Sequence, residues 1–145
     1  MYINQISVFV ENKPGNLAAL TEFIAKHNID LRAFTLVDST DYGIVRIIVK
    51  DAFDTITLLK DNDWICKLTK VIGVKLPDKP GAMATIMGIM AKNNINVDYA
   101  YAFVAKGTTD ALMVFKVNES EAEKASAVLS SEGLKVISPA DLESM

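Results

Sequence analysis

Hydrophobic positions at the start of the chain fall two apart. Ile6, Val8 and Val10 share one face and Ile3, Ser7 and Phe9 the other, which predicts a strand over residues 2–10. A polar break, Asn12-Lys13-Pro14-Gly15-Asn16, follows, and the period then changes. Leu17, Leu20, Phe23, Ile24 and His27 mark one face of a helix, with Pro14 placed in its first turn, where a missing N–H costs nothing. Asn28, a residue that tolerates a left-handed backbone, is the predicted helix stop. Two β-rich runs, residues 31–37 and 43–50, flank the hairpin signal Asp38-Ser39-Thr40-Asp41-Tyr42-Gly43. Asp51 is the expected cap of a second helix with Ala52, Ile56 and Leu59 on one face. Asp61-Asn62-Asp63 ends it and residues 64–69 close the sheet. The predicted order is βαββαβ.

The pattern then repeats. Val8-Phe9-Val10-Glu11-Asn12-Lys13-Pro14-Gly15 returns 66 residues later as Val74-Lys75-Leu76-Pro77-Asp78-Lys79-Pro80-Gly81, and each copy leads to an Asn-Ile pair, Asn28-Ile29 and Asn94-Ile95. Between positions 8 and 33, nine of 26 residues are identical at this offset, which marks a tandem duplication. Met83, Ile86, Ile89 and Met90 replace Leu17, Leu20, Phe23 and Ile24. The second hairpin loop, Lys106-Gly107-Thr108-Thr109, is slightly longer. Ser120-Glu121-Ala122-Glu123 reads as a capping box, Gly133 as a helix end, and residues 134–138 as the closing strand. The domains are set at 1–69 and 70–145. Leu68 to Leu76 is nearly continuous strand, so no flexible linker is expected between them.

Composition narrows the function. A repeat of this size is marginal alone, so the copies are expected to pack on each other or on a second chain, and neither to fold stably by itself. With 50 % hydrophobic residues and exposed sheet edges, a homodimer or higher even assembly is expected. A net charge of −3 supplies no basic stripe for nucleic acid. The one cysteine offers no disulfide or zinc framework, and no apolar run suits a signal peptide or a membrane span. A reduced cytoplasm is the default reading.

Little looks catalytic. His27 stands without a paired base or nucleophile and reads as structural. Cys66 reads as a small core residue, and Met83, Met87 and Met90 as core filler. Trp64 and Tyr42 suit either surface or interface, and Arg46 is expected to face solvent from the sheet's outer face. The strand-to-helix loops differ from these. A helix N-terminus carries unpaired N–H groups and partial positive charge and can hold a carboxylate, and Gly15 and Gly81 leave room for a ligand to approach. The competing reading is that Asn12 and Asp78 only cap their helices. The recurrence of Lys-Pro-Gly favours function.

On Val8 to Leu17, Asn28-Ile29-Asp30-Leu31 and Gly43-Ile44-Val45-Arg46-Ile47-Ile48-Val49, with Asp78 to Met83 and Asn94-Ile95-Asn96-Val97 in the second copy, the chain resembles a tandem of ACT domains. These are small-molecule-sensing modules of amino-acid metabolism. The resemblance covers nearly the whole sequence. It implies an α+β fold of two ferredoxin-like βαββαβ domains with antiparallel sheets packed side by side. It further implies a free amino acid held where the first loop of one domain meets the helix-to-strand junction of its neighbour. Carried onto this sequence, the contacts are Asn12 and Asp30 in the first copy and Asp78 and Asn96 in the second, with Pro14, Gly15, Asn16, Leu17, Pro80, Gly81, Ala82 and Met83 around them. Some relatives place a histidine where this chain has Val10 and Leu76, which removes one polar contact.

Backbone N–H groups at residues 16–17 or 82–83, with an Asn amide, suit the ligand's carboxylate, and Asp30 or Asp78 suits its ammonium. If each site joins the loop of one repeat to the junction of the other, Asn12 meets Asn96 and Asp78 meets Asp30. The first is then expected to take a neutral amino acid more tightly, since two facing carboxylates repel. Loop and junction within one repeat would instead give two near-equal sites. The expected activity is therefore regulation without catalysis, with no cofactor or metal, acting on an amino-acid metabolic enzyme. A regulatory subunit like the small subunit of acetolactate synthase is the alternative. An acylphosphatase-like enzyme would need an Arg in the first loop, and a metal chaperone a Cys pair there; Asn12 to Leu17 holds neither.

Overall fold

The computed structural model describes residues 1–38, 40–104 and 109–145, so Ser39 and most of the second hairpin loop, Lys106-Gly107-Thr108, lie outside the described residues. The chain divides into two compact units, one of Asn4–Thr69 and one of Met1–Ile3 with Lys70–Met145.

The first unit runs β1 (Ile3–Glu11) from Asn4 onward, α1 (Asn16–Lys26), β2 (Leu31–Asp38), β3 (Tyr42–Val49), α2 (Ala52–Asp61) and the first residues of β4 (Ile65–Pro77). Its strands lie in the order β2-β3-β1-β4, with β3 antiparallel to both β1 and β2. The helices cover one sheet face. Ile6, Val8, Val10, Val45 and Ile47 pack there against Leu20, Ile24, Ile56 and Leu59, and all nine are buried. Each such aliphatic side chain contributes about 1.5–3 kcal/mol when fully buried. The other face holds Gln5 and Ser7, buried and joined by a 3.2 Å hydrogen bond from Gln5 Nε2 to Ser7 Oγ. Arg46, read from sequence as solvent-facing, is half-buried on this face, cross-strand from Ser7 and Thr35. Trp64 packs against Phe23, ring centroids 5.9 Å apart, and so belongs to the core. Cys66 is half-buried against the same core, and that burial pushes its thiol pKa up.

The second unit continues β4 and adds α3 (Ala82–Lys92), β5 (Val97–Val104), β6 (Asp110–Val117), α4 (Ala122–Ser131), β7 (Lys135–Val136) and α5 (Pro139–Glu143). Its strands lie in the order β7-β4-β6-β5, all antiparallel. Ile72, Val74, Leu76, Met113 and Phe115 face Ile86, Met90, Ala125 and Leu129 in its core. The closing strand is two residues instead of the expected five. After it, Ser138 starts α5 with a capping box to Asp141, an element the hydrophobic pattern does not reveal. The Ser138 hydroxyl and amide together hold the Asp141 carboxyl far below the usual range. The capping box expected at Ser120 does not form. Asn118 accepts from the Ser120 amide and starts a 3-10 turn, Glu119–Glu121, and α4 begins after it with no side-chain cap.

The four longer helices end alike. Asn28, Asp63, Asn94 and Gly133 adopt positive φ, and the following residue donates back five positions: Ile29 to Ile24 at 3.1 Å, Trp64 to Leu59 at 3.0 Å, Ile95 to Met90 at 2.9 Å and Leu134 to Leu129 at 3.1 Å. The repeated Asn-Ile pair is thus a helix stop, with Asn supplying the left-handed residue and Ile the apolar residue after it. His27 serves the first stop: its Nδ1–H donates to the Phe23 carbonyl at 2.9 Å and its ring lies 4.2 Å from that of Phe23.

Candidate ligand site

The loops after β1 and within β4–α3 have one geometry, dictated by Lys-Pro-Gly. In each, a three-residue turn comes first. The Lys13 amide donates to the Glu11 carbonyl and the Lys79 amide to the Pro77 carbonyl, both at 2.9 Å, leaving Asn12 and Asp78 at the apex. A type II turn follows, with Pro14 or Pro80 at its second position and Gly15 or Gly81, at φ 90° or 91°, at its third. It is closed by Asn16 to Lys13 and Ala82 to Lys79 bonds of 3.3 Å. The prolines therefore sit before the helix, not in its first turn, because the turn fixes their φ. The apex is pinned to the hairpin alongside, Asn12 N to Asp41 O and Asp78 N to Thr109 O, each 3.1 Å.

Gly15 and Gly81 are the N-caps of α1 and α3, and neither helix start receives a side-chain cap. Asn12 and Asp78 therefore do not cap these helices. A Cβ built on either glycine meets nothing within 4 Å, so the space in front of each turn is open.

The loops differ in charge. In the first, Lys13 Nζ and the Glu11 carboxylate pair at 2.6 Å, which lowers the Glu11 pKa and raises that of Lys13, and Asn16 Nδ2 ties back to the Glu11 carbonyl at 3.1 Å. Pro77 and Ala82 occupy the Glu11 and Asn16 positions in the second copy, so neither contact exists there.

Two clefts border the second loop. One, about 200 Å³, is lined by Asp78, Lys79 and Met83 together with Leu76, Ala102, Ala111 and Met113. The other, about 380 Å³, lies against Pro80, Gly81, Thr85 and Leu134. Leu76, Pro77, Lys79 and Ala82 line both. Met83, expected as core filler, is 52 % exposed and walls the smaller cleft, while Met90 is buried and Met87 half-buried. Lys79 and the Ala102, Ala111 and Met113 wall were not singled out from the sequence. The strand alternation that puts Met113 on the helix face was the available signal for that wall.

The junction residues lie elsewhere. Val10 pairs with Gly43 near the loop, whereas Leu31, next to Asp30, pairs with Val49, about 20 Å along β3 at roughly 3.3 Å per residue. Pro77 with Asp110 and Val97 with Val117 are related in the same way. One amino acid cannot touch both the loop and the junction of the same repeat, which removes the two-equal-sites arrangement. Asp30 Oδ2 stands 3.4 Å from an Arg32 guanidinium nitrogen, and Asn96 Nδ2 donates to Asp98 Oδ1 at 3.2 Å.

Among the described residues, no cluster of His, Cys, Asp and Glu is placed to hold a metal ion, and no helix is long and apolar enough to cross a membrane.

Two βαββαβ units with matching Lys-Pro-Gly loops define a tandem of ferredoxin-like domains. The family described as ACT domain pair matches residues 1–145, and the chain belongs to it. Its fold is similar to that of protein BT0572 from Bacteroides thetaiotaomicron, with 32 % identity, TM-score 0.90, and 100 % of this chain and 98 % of that one covered. The regulatory subunit of aspartate kinase from Thermus thermophilus, in ligand-free form, shares the fold at 15 % identity, TM-score 0.61, covering 88 % and 91 %. The corresponding subunit from Thermus flavus does so at 14 % identity, TM-score 0.58, covering 88 % and 90 %. No curated protein matches the chain.

Proposed function

We propose that this ACT domain pair is a non-catalytic regulator that binds a free amino acid at the second strand-to-helix loop. It acts as a homodimer on an enzyme of amino-acid metabolism. The observation that carries the reading is the pair of clefts flanking Asp78-Lys79-Pro80-Gly81. An amino acid is a zwitterion. The Asp78 carboxylate suits its ammonium, while Lys79 and the uncapped start of α3 suit its carboxylate. Leu76, Ala102, Ala111 and Met113 make the smaller cleft apolar, which suits an aliphatic or thioether side chain. On this reading the stronger site is the one on the second loop, unlike the charge argument from sequence, because Lys79 offsets the Asp78 carboxylate. The likeness to aspartate kinase regulatory subunits is one of fold and supports a regulatory reading only at that level. A thermal-shift screen of the twenty amino acids tests it: the leucine, isoleucine, valine and methionine group should raise Tm, and aspartate and lysine should not. No response to any amino acid would contradict the proposal.

A further inference from the structure

The two sheets share one register, and the corner beside the loop is built differently in each. In the second unit Met113 pairs with Val74 on one side and Ala102 on the other, and Ala111 pairs with Leu76 and Val104. In the first unit Val45 pairs with Val8 and Leu36, and Gly43 with Val10 and Asp38. Leu36 therefore holds the ladder position of Ala102, 66 residues on, and Gly43 that of Ala111. An isobutyl group stands on β2 where β5 has a methyl, and it reaches over Gly43. Leu36 Cδ1 lies 3.0 Å from where a Cβ on Gly43 would stand, and Val10 Cγ2 lies 3.7 Å from the same point. In the second unit Leu76, Ala102 and Ala111 border the cleft of about 200 Å³ at that corner. The first unit fills with its own side chain what the second leaves open.

We infer that Ala102 is the specificity-determining residue of the ligand site, and that Leu36 closes the equivalent place in the first unit, so that each chain binds one amino acid. This rests on the second-loop reading above and adds which side chains that site admits and how many sites a chain carries. The polar contacts of the first loop point the same way. Lys13 is held by the Glu11 carboxylate at 2.6 Å, whereas Pro77 stands at the Glu11 position beside Lys79. Glu11 and Leu36 thus supply, from the chain itself, the carboxylate and the apolar side chain that a free amino acid brings to the second loop. The Glu11–Lys13 pair is exposed and weak, so the exclusion falls on Leu36, whose atoms already occupy the corner. An apolar pocket discriminates by size, and one methylene more or less is worth about 10- to 200-fold. Ala102 sets that size from the wall of the cleft, where its methyl leaves room for a branched or thioether side chain.

Isothermal titration of the full chain with leucine, isoleucine, valine and methionine tests this. Wild type should bind one ligand per chain. Ala102→Leu should weaken every ligand that binds by about tenfold or more. Ala102→Val should weaken leucine and methionine more than valine, a change of preference that a general loss of structure would not produce. Ala100→Leu, on the same face of β5 but outside the cleft, should leave affinity unchanged. The triple variant Glu11→Pro/Asn12→Asp/Leu36→Ala carries the second loop's chemistry into the first unit and should raise the stoichiometry from one to two, its second-loop binding reporting that it is folded. Wild-type affinity in Ala102→Leu, an equal loss in Ala100→Leu, or two sites per wild-type chain would overturn the inference, and the second-loop reading would stand if Asp78→Asn still weakened binding. A triple variant that binds one ligand would overturn the role of Leu36. No binding of any of the four by wild type would overturn both the inference and the reading beneath it.

Discussion

The Glu11 carboxylate and the Lys13 ammonium pair at 2.6 Å on the first loop, and in the second copy Pro77 takes the place of Glu11. Two loops of one backbone geometry thus carry different electrostatics: a closed internal pair in the first, an acid and a base beside a cleft in the second. Lys13→Ala should raise the Glu11 titration midpoint toward its ordinary value, read by carboxyl NMR. The folded pKa of Glu11 is depressed, so its contribution is present above the ordinary glutamate range and lost as pH falls through the folded pKa. That of Lys13 is raised, so its contribution is present below the ordinary lysine range and lost as pH rises through the folded pKa. Both side chains are exposed, so the pH effect on Tm should be small.

Gly15→Ala and Gly81→Ala isolate the cost of the turn. Each Cβ enters open space, so the penalty is conformational, about 1–2 kcal/mol for placing an L-residue at φ near +90°. Urea denaturation should show a lower midpoint with an unchanged m-value. A Tm equal to wild type would contradict the type II turn.

Gly73→Ala tests packing instead. Its Cβ would stand 3.2 Å from both Ile137 Cβ and Ile3 Cδ1, within one unit. Overpacking of this sort should cost about 1–3 kcal/mol, and adding Ile3→Val should recover part of it.

Ser138→Ala should release Asp141. The hydroxyl and amide of Ser138 hold that carboxyl low, so its contribution to stability is present above the ordinary aspartate range and is lost as pH falls toward the depressed folded pKa. The variant should lower Tm at pH 7 and flatten the acid limb of the stability profile, both read by calorimetry.

Much of the fold was legible because local chemistry and the hydrophobic period agree. Alternation at Ile6, Val8 and Val10 marks β1, and Asn28 and Asn94 mark helix stops that adopt φ of 53° and 54°. The failures share a cause: one motif serves two geometries. Pro14-Gly15 fits a helix start or a type II turn, and only the 3.3 Å Asn16 to Lys13 bond decides. Ser120-x-x-Glu123 fits a capping box, but Asn118 lies two residues earlier and takes the cap first. β7 and α5 are too short to show a period. At the site, Asp78 was visible as a loop residue, while its wall of Ala102, Ala111 and Met113 comes from strands 24–35 positions away and depends on sheet register.

Isothermal titration of wild type, Asp78→Asn and Asn12→Asp with the amino acid selected by thermal shift tests the central claim most directly. A ligand at 100 times its Kd should add about 2.7 kcal/mol of stability, so binders are easily recognised beforehand. Losing the charged contact at Asp78 should weaken binding by about 1.5–3 kcal/mol, roughly 10-fold to 150-fold, while Asn12→Asp leaves the titration unchanged. Unaltered affinity in Asp78→Asn, with binding lost in Asn12→Asp, would contradict the account.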